Sequence, residues 1–512
     1  MKSQTKLSLI SLAIATSLAL PVSATGLSLP GVASVEKSAE VAAAVNNQST
    51  VEQNGLGQDT SVSQSGSRHV AEVTQNGNDQ IAEVVQSGDW QESYITSAGD
   101  GNLVTTNQVD DWHISNVAIT GNDNQATVNQ SGFWNTSETT ALGNENIADT
   151  MQDGFQNNSI IQHVGDSNLT QSTQYGSANL AVFRVDGNGN EGVITQDGNN
   201  NQAGLVAPGG TANVGNDNVL FVDQSGDENF GAAIGVYGDS NNIEINQSGY
   251  ANTGVVASLT GNSNDIVIDQ SGDVNSAVIE FATGDGNEVY IYQDGTDNQV
   301  GDANIAVISG NDNVIDIDQA GMSNLTEFET SGDENTVTVL QDGESNYVAS
   351  GTYGFGNEVS VSSEGMNNEV AVFVNLDDNM VTVDQTGDTN FAYVDTIGFE
   401  NEVTTEQVGS DNEASLTNIG IAQVIDIAQD GEFNLTDVVA FGDEHVVDIT
   451  QQGDGNWIGG DEGYFSVDGY SNNLTISQMG NDNLVIGSQI GENGMINVSQ
   501  TGDFNTATVY QN

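Results

Sequence analysis

Four histidines, 72 acidic residues and no cysteine are the groups from which this 512-residue chain could build chemistry. Thiolate nucleophiles, thiolate metal sites and disulfides are excluded at once. His69, His113 and His445 each occupy one place of a repeated pattern, and His163 occupies another. A metal site would need such imidazoles to converge, yet His445 lies far along the chain from the rest. Substitution within the pattern is the favoured account of all four. The turns Gly121-Asn-Asp-Asn124, Gly165-Asp-Ser-Asn168, Gly215-Asn-Asp-Asn218 and Gly310-Asn-Asp-Asn313 are rich in oxygen ligands of the kind Ca²⁺ takes. They lack the Gly-Gly-x-Gly-x-Asp spacing of calcium-binding solenoids, and Asx side chains that cap their own turns explain them more simply. No Ser/His/Asp set or paired-carboxylate cleft stands out, so neither catalysis nor a cofactor is expected.

Trp90, Trp112 and Trp134 are 22 residues apart. Three indoles aligned by that spacing make either a platform for a sugar or another fibre, or a stack that packs on itself; packing is the favoured reading. The spacing belongs to a longer pattern. Gln-x-Gly-x-x-Asn recurs at Gln130, Gln152, Gln174 and Gln196, and again at Gln385, Gln407, Gln429 and Gln451, in steps of 22. From Gln224 through Gln247 and Gln270 to Gln293 the step is 23, and Gln319 and Gln341 continue the series. Midway stands a half-unit with the same Gly and Asn but no Gln, such as Ala141-Leu-Gly143-Asn-Glu-Asn146.

Around Gln270, Asn264, Ile266 and Ile268 share its face of a strand, and Asp265, Val267 and Asp269 take the other. Ser-Gly-Asp-Val then reads as a four-residue turn, and Asn275, Ala277 and Ile279 begin a second strand. A coil of two strands and two turns has too little interior to stand alone. It must stack on the next coil, about 4.8 Å away, and extend two parallel sheets. Gln and Asn facing an apolar core are costly unless their amides are bonded. Stacking puts equivalent amides above one another, so that each donates to the next coil and accepts from the previous one. Asn275, Asn390 and Asn505 are expected to join the glutamines in such ladders. The predicted fold is an all-β solenoid of about twenty two-strand coils, 22–23 residues each, roughly 95 Å long. Extra residues at Ala207–Ala212, Asp297–Asn304 and Trp457–Phe465 read as loops bulging from a turn.

The ends of the sequence carry other signals. Lys2, Lys6, the apolar run Leu7–Leu20 and the small residues Val22-Ser23-Ala24 read as a bacterial export signal over 1–24, followed by a leader at 25–46 and the repeats at 47–512. The product is expected outside the cell or on its surface, with no membrane insertion. Net charge is −67, a poor match for nucleic acid. Acids alternate with neutral residues along the outward row Asp223, Asn246, Asp269, Tyr292, Asp318, Leu340, which keeps carboxylates from stacking directly; Asp384 and Glu406 break that pattern.

Gln270-Ser-Gly272-Asp-Val-Asn275-Ser-Ala277, Gln385-Thr-Gly387-Asp-Thr-Asn390-Phe-Ala392 and Gln500-Thr-Gly502-Asp-Phe-Asn505-Thr-Ala507 resemble the curlin repeat of curli, the functional amyloid of bacterial biofilms. The resemblance covers about residues 47–512. It implies a left-handed β-solenoid that self-associates end to end into extracellular fibres of a biofilm matrix or of surface adhesion, with a curli-type nucleator and an outer-membrane exporter as possible partners. The chain departs from that family in having several times the usual number of repeats, in a leader that is not Gly-rich, and in interior repeats that keep one Gln ladder, the other holding residues such as Ala141, Ala282, Thr330, Thr396 and Ala440. Gln53, Gln64, Gln75 and Gln86 near one end, and Gln478, Gln489, Gln500 and Gln511 near the other, keep Gln in both half-units. These are the candidate docking faces, because an exposed end coil is an open sheet edge. The competing reading is a non-polymerising acidic solenoid that binds Ca²⁺, a glycan or ice through its outer face.

Overall fold

The computed structural model describes residues 47–205, 213–301, 306–460 and 463–512. The export signal and leader expected over 1–46 and the insertion at 207–212 lie outside these residues, as do parts of the insertions at 297–304 and 457–465. The described residues contain strands, turns and bends and no helix. They fall into two compact units, one ending at Ser263 and the other beginning at Asn264. Each is a β-solenoid of parallel stacked two-strand coils, the architecture expected from the repeat.

In the first unit the Gln-bearing strands are nine residues long, as at Ile147–Phe155 and Leu169–Ser177. They pair in parallel with a shift of one repeat, so Gln152 stands beside Gln174 and Gly154 beside Gly176. The Gln-free strands, such as Asn158–Val164 and Leu180–Asp186, form a second parallel sheet with the same shift. We call these the glutamine sheet and the mixed sheet. Alternation sends Ala148, Thr150 and Gln152 inward from one and Ser159, Ile161 and His163 inward from the other. The second unit repeats the plan: Ile315, Ile317 and Gln319 face Thr326, Phe328 and Thr330, all fully buried.

So thin a core leaves little room for variation in volume. Phe183 fills its coil because the facing position is Gly192, where an added Cβ would lie 1.8 Å from the ring. Each fully buried Val, Ile or Phe contributes about 1.5–3 kcal/mol, but only once neighbouring coils cover it.

Two sequence expectations are corrected. In the first unit only the mixed-sheet strands are followed by four-residue turns, as at Gly165–Asn168 between Val164 and Leu169. In the second unit four-residue turns also follow the strands of Gln451, Gln478 and Gln500, and the Gln-free strand Phe391–Phe399 has a two-residue corner. After Gln152, as in the other glutamine-sheet strands of the first unit, the strand continues through Gly154 and Phe155, and only Gln156 and Asn157 make the corner. Gly permits this extension: at Gly154 φ is 132°, and a Cβ would meet the Gly176 carbonyl oxygen of the next coil at 1.9 Å. The insertions, too, are not loops from turns. Each splits a strand of the mixed sheet part-way along: Gln202–Leu205 from Asn213–Val214, Gln299–Val300 from Ala306–Ser309, and Trp457–Gly459 from Phe465–Tyr470. The extra residue of the 23-residue steps falls in the same sheet, at the break between Phe230–Ala233 and Val236–Tyr237 and its counterparts.

Candidate functional site

The polar groups that define this chain lie inside the coils. In the first unit a side-chain amide ladder runs through Gln64, Gln86, Gln108, Gln130, Gln152, Gln174, Gln196, Gln224 and Gln247, each Nε2 donating to the next Oε1 at 2.8–2.9 Å. The second Nε2 proton crosses the core to a mixed-sheet carbonyl, as from Gln152 to Thr136 at 3.0 Å and from Gln174 to Asn158 at 3.0 Å. One amide therefore ties its coil both to the next coil and to the opposite sheet. Gln108 was not legible in the Gln-x-Gly motif, because Asp110 replaces the Gly. Its signal was the 22-residue spacing from Gln86 and Gln130. Asp110 adopts the left-handed φ of 74° that the place demands, and its Oδ2 accepts from the Gly132 N–H at 3.1 Å.

In the second unit the ladder has two runs. Gln270, Gln293, Gln319 and Gln341 are linked at 2.7–2.8 Å, and Gln385, Gln407, Gln429, Gln451, Gln478 and Gln500 at 2.8–2.9 Å. Between them stands Ser363, in register with Gln341 and Gln385. Its side chain is too short to reach either amide, and both the Ser363 hydroxyl and the Gln385 Oε1 are buried without a hydrogen-bond partner.

Asparagines form the expected amide ladder, as where Asn390 Nδ2 donates to Asn368 Oδ1 at 3.1 Å and Asn412 Nδ2 to Asn390 Oδ1 at 3.0 Å, and they add bonds to the backbone. Asn275 Nδ2 donates to the Gly295 carbonyl at 3.1 Å, while its Oδ1 accepts the Asn298 backbone N–H at 3.1 Å. Asn390 does the same with Gly409 and Asn412. Asn505 donates both its backbone N–H (3.1 Å) and its Nδ2 (2.8 Å) to Asn483 Oδ1. The Asn place thus links amide to amide between coils and also fastens side chain to backbone at the corner. His113 and His445 serve that corner with Nδ1 accepting the backbone N–H of Asn135 and Asn472, and Nε2 on the carbonyls of Val109 and Phe441. His69 also places Nε2 on a carbonyl, that of Ser65. His163 stands at the mixed-sheet Gln place with Nε2 2.6 Å from Thr170 Oγ1, and burial pushes its pKa down to about 4. Among the described residues, no cluster of His and carboxylate side chains could hold a metal ion.

The eight candidate docking glutamines divide between the sheets. Gln64 and Gln86, and Gln478 and Gln500, are rungs of the glutamine sheet. Gln53 and Gln75 (2.8 Å), and Gln489 and Gln511 (3.1 Å), make two-rung ladders in the mixed sheet. The mixed-sheet rungs do not continue inward, since Gln75 is followed by Ser97 and Gln489 is preceded by Val467.

Outside, the Asx-rich turns use their side chains on neighbouring coils. Asn122, Asn144 and Asp166 each donate their backbone N–H to the Oδ1 of the next turn, Asn144, Asp166 and Asn188, at 2.7–3.0 Å. The outward acid row has the expected neighbours, with Asp318 in register between Tyr292 and Leu340. Repulsion reaches it from other rows instead: burial lifts the Asp318 carboxyl above its ordinary range, and Asp316, Asp342 and Asp294 add to that. Trp90 and Trp112 stack at 4.6 Å and 9°, and Trp112 meets Trp134 edge to face at 6.1 Å and 88°.

Set against known proteins, residues 215–249, 238–270, 261–295, 332–365 and 377–409 match the curlin associated repeat. No curated protein matches the chain.

Proposed function

From a chain that carries curlin associated repeats we infer a structural role: a secreted, curli-like subunit of extracellular fibres, in a biofilm matrix or in surface attachment, that grows by adding coils of one copy to coils of the next. The observation that carries this reading is the polarity of the glutamine ladder. Within each run, interior rungs donate on one side and accept on the other, so a coil of another copy could complete an end rung as the chain's own next coil does. The docking faces are placed at the doubly laddered coils, around Gln53, Gln64, Gln75 and Gln86 and around Gln478, Gln489, Gln500 and Gln511. Further copies are the main partner; a nucleator and an outer-membrane exporter of the curli type would complete the system.

Charge opposes addition, so salt, which shortens the range of repulsion, and acid, which neutralises carboxylates, both speed it. The test is electron microscopy and fibre diffraction of purified protein incubated at low and high salt. Long fibres with a reflection near 4.8 Å, about the strand spacing, along the axis are expected. Discrete particles that never join under any condition overturn the reading. Replacing Gln489 and Gln511 by Ala should slow growth more than replacing two interior glutamines; equal slowing removes the special role of the end coils.

A further inference from the structure

In the first unit, the corner residue after successive glutamine strands is Arg68, Trp90, Trp112, Trp134, Gln156 and Ala178. All six have left-handed φ, between 58° and 66°. Bulky side chains rarely adopt that region, whereas Asn and Gly enter it readily. Three tryptophans in succession are therefore an unfavourable filling of a row that Arg68, Gln156, Ala178, Asn200, Glu228 and Ala251 serve elsewhere in the first unit. They are not held there by the core, because Trp112 and Trp134 are 39% and 44% exposed.

Other rings extend the row into a ridge. Phe133 and Phe155 stack at 5.9 Å and 6°, and Trp134 lies 5.1 Å from one and 6.0 Å from the other. Phe155 is 40% exposed at the end of this cluster. An apolar surface this continuous is unusual on a soluble strand face and marks a contact. Its surroundings select the partner. Asp89, Asp110 and Asp111 flank the tryptophans, and the hydrogen bond from Ser67 holds the Asp89 carboxyl below its usual range. The Arg68 guanidinium already sits 4.4 Å from the centre of the Trp90 ring, so the ridge accepts a cation on an indole face. A second copy of this chain, with a net charge of −67, would bring like charge against those aspartates.

We propose that Trp90, Trp112 and Trp134, with Phe133 and Phe155, form a docking ridge for a polysaccharide of neutral or amino sugars. The C–H faces of pyranose rings cover the exposed aromatic surface, and the flanking carboxylates, with lone pairs beyond their own hydrogen bonds, accept from hydroxyl or ammonium groups. The three indoles span two coil steps, about 9.6 Å, which suits a run of sugar rings rather than a single one. The ridge is independent of fibre formation, since it lies on the outer surface of one chain.

The test is a titration of full-length protein, followed by tryptophan fluorescence, with hexasaccharides of N-acetylglucosamine, of glucosamine and of a uronic acid. Saturable binding of the first or second, and none of the third, is expected; which of the two binds more tightly distinguishes a neutral from a cationic ligand. The double variant Trp112→Asn/Trp134→Asn suits the left-handed corners, so it should keep its thermal transition while weakening binding at least about tenfold. Trp134→Leu keeps apolar bulk without a ring and should weaken binding as well. No saturable binding of either sugar, equal binding of the uronic acid, or unchanged affinity in both variants overturns the proposal. So does a change in self-association of the variants without sugar binding, which would make the ridge a contact between copies.

Discussion

In the first unit the glutamine sheet carries Gln at the same rung from Gln64 to Gln247, while the facing rung of the mixed sheet runs Gln53, Gln75, Ser97, Ile119, Ala141, His163 and Val185. The second unit has the same asymmetry, with Thr330, Thr352, Val374, Thr396, Asn418 and Ala440 opposite an amide row. Every strand interruption of the described residues falls in the mixed sheet. An amide rung has to meet its neighbour at hydrogen-bond distance in both directions, so a strand that carries one cannot slip or bulge. A Thr, Ala or Val rung makes no such demand, and its strand can open around an insertion while the glutamine sheet maintains the coil spacing. One ladder, braced to the opposite backbone, is enough to set register for both sheets.

The most severe way to break this comparison is to move an insertion across the core. Two glycines placed after Gly301, where a mixed-sheet strand is already divided, should cost less than about 1 kcal/mol, since lengthening a loop is inexpensive. The same two residues after Val339 displace Gln341 from Gln319 and should cost more than about 3 kcal/mol, because several buried amides lose partners together. Urea unfolding of the two variants measures the difference, and equal costs would mean that register is not held by the amides.

Single rungs come next. Gln319→Leu keeps volume but removes bonds to Gln293, Gln341 and the Gln299 carbonyl. It should lose about 2–3 kcal/mol, the cost of leaving buried partners unmatched. Thr330→Val, on the facing rung, removes a buried hydroxyl that has no partner and should be neutral or stabilising by up to about 1 kcal/mol.

These contrasts also mark what the sequence could and could not disclose. Period 2 between glycines identified the strands, and the 22-residue recurrence of Gln152, Gln174 and Gln196 identified the parallel stack, because an amide in a core has few other ways to be satisfied. Gln108 escaped because recognition rested on the Gly that Asp110 replaces, although the backbone there needs a left-handed φ and Asp tolerates it. The place of the insertions escaped because spacing counts residues without saying which side of a coil absorbs them. The amide-to-amide Asn bonds follow from the spacing, whereas the added bonds from Asn side chains to neighbouring backbone depend on corner geometry that spacing does not give. Phe133 and Phe155 share the 22-residue spacing, but they join the tryptophans only once the corner geometry is known.

Titration separates the sheets again. The glutamine sheet has no titratable rung among the described residues, whereas the mixed sheet has His163, whose folded pKa of about 4 lies below the ordinary value near 6.5. A depressed histidine contributes stability that is fully present above the unfolded pKa and is lost as pH falls toward the folded one. By pH 5.5 the loss should be about 1–1.5 kcal/mol. Carboxyls lifted by burial, such as Asp426 and Asp437 in the second unit, act oppositely, favouring the fold as pH falls through their raised values. His163→Ala, which copies Ala141 on the adjacent rung, should therefore be less stable than the parent near neutrality and have a flatter pH dependence between about 7.5 and 5.5. An unchanged pH slope would place the sensitivity elsewhere.

The smallest effect should come from repairing the one break in the ladder. At Ser363 the glutamine sheet behaves like the mixed sheet, with an unpaired hydroxyl and an unpaired Gln385 Oε1. Ser363→Gln gives the Gln341 amide an acceptor, gives Gln385 Oε1 a donor, and sets its second proton toward the Tyr347 carbonyl, which is 16 residues before it as Thr136 is before Gln152. The facing residues Val348, Ser350 and Thr352 are no larger than Thr326, Phe328 and Thr330, which already accommodate Gln319 and Gln341. A net gain of about 1 kcal/mol is expected, less than the sum of new bonds because the longer side chain must be ordered. Hydrogen exchange gives the sharper readout: if the break is a weak point, amides of Glu358–Met366 should exchange faster than those of Val314–Met322 in the parent and at similar rates in the variant. Equal rates in the parent would show that backbone pairing alone holds a coil that lacks its amide, and the ladder would then set register without adding to local stability.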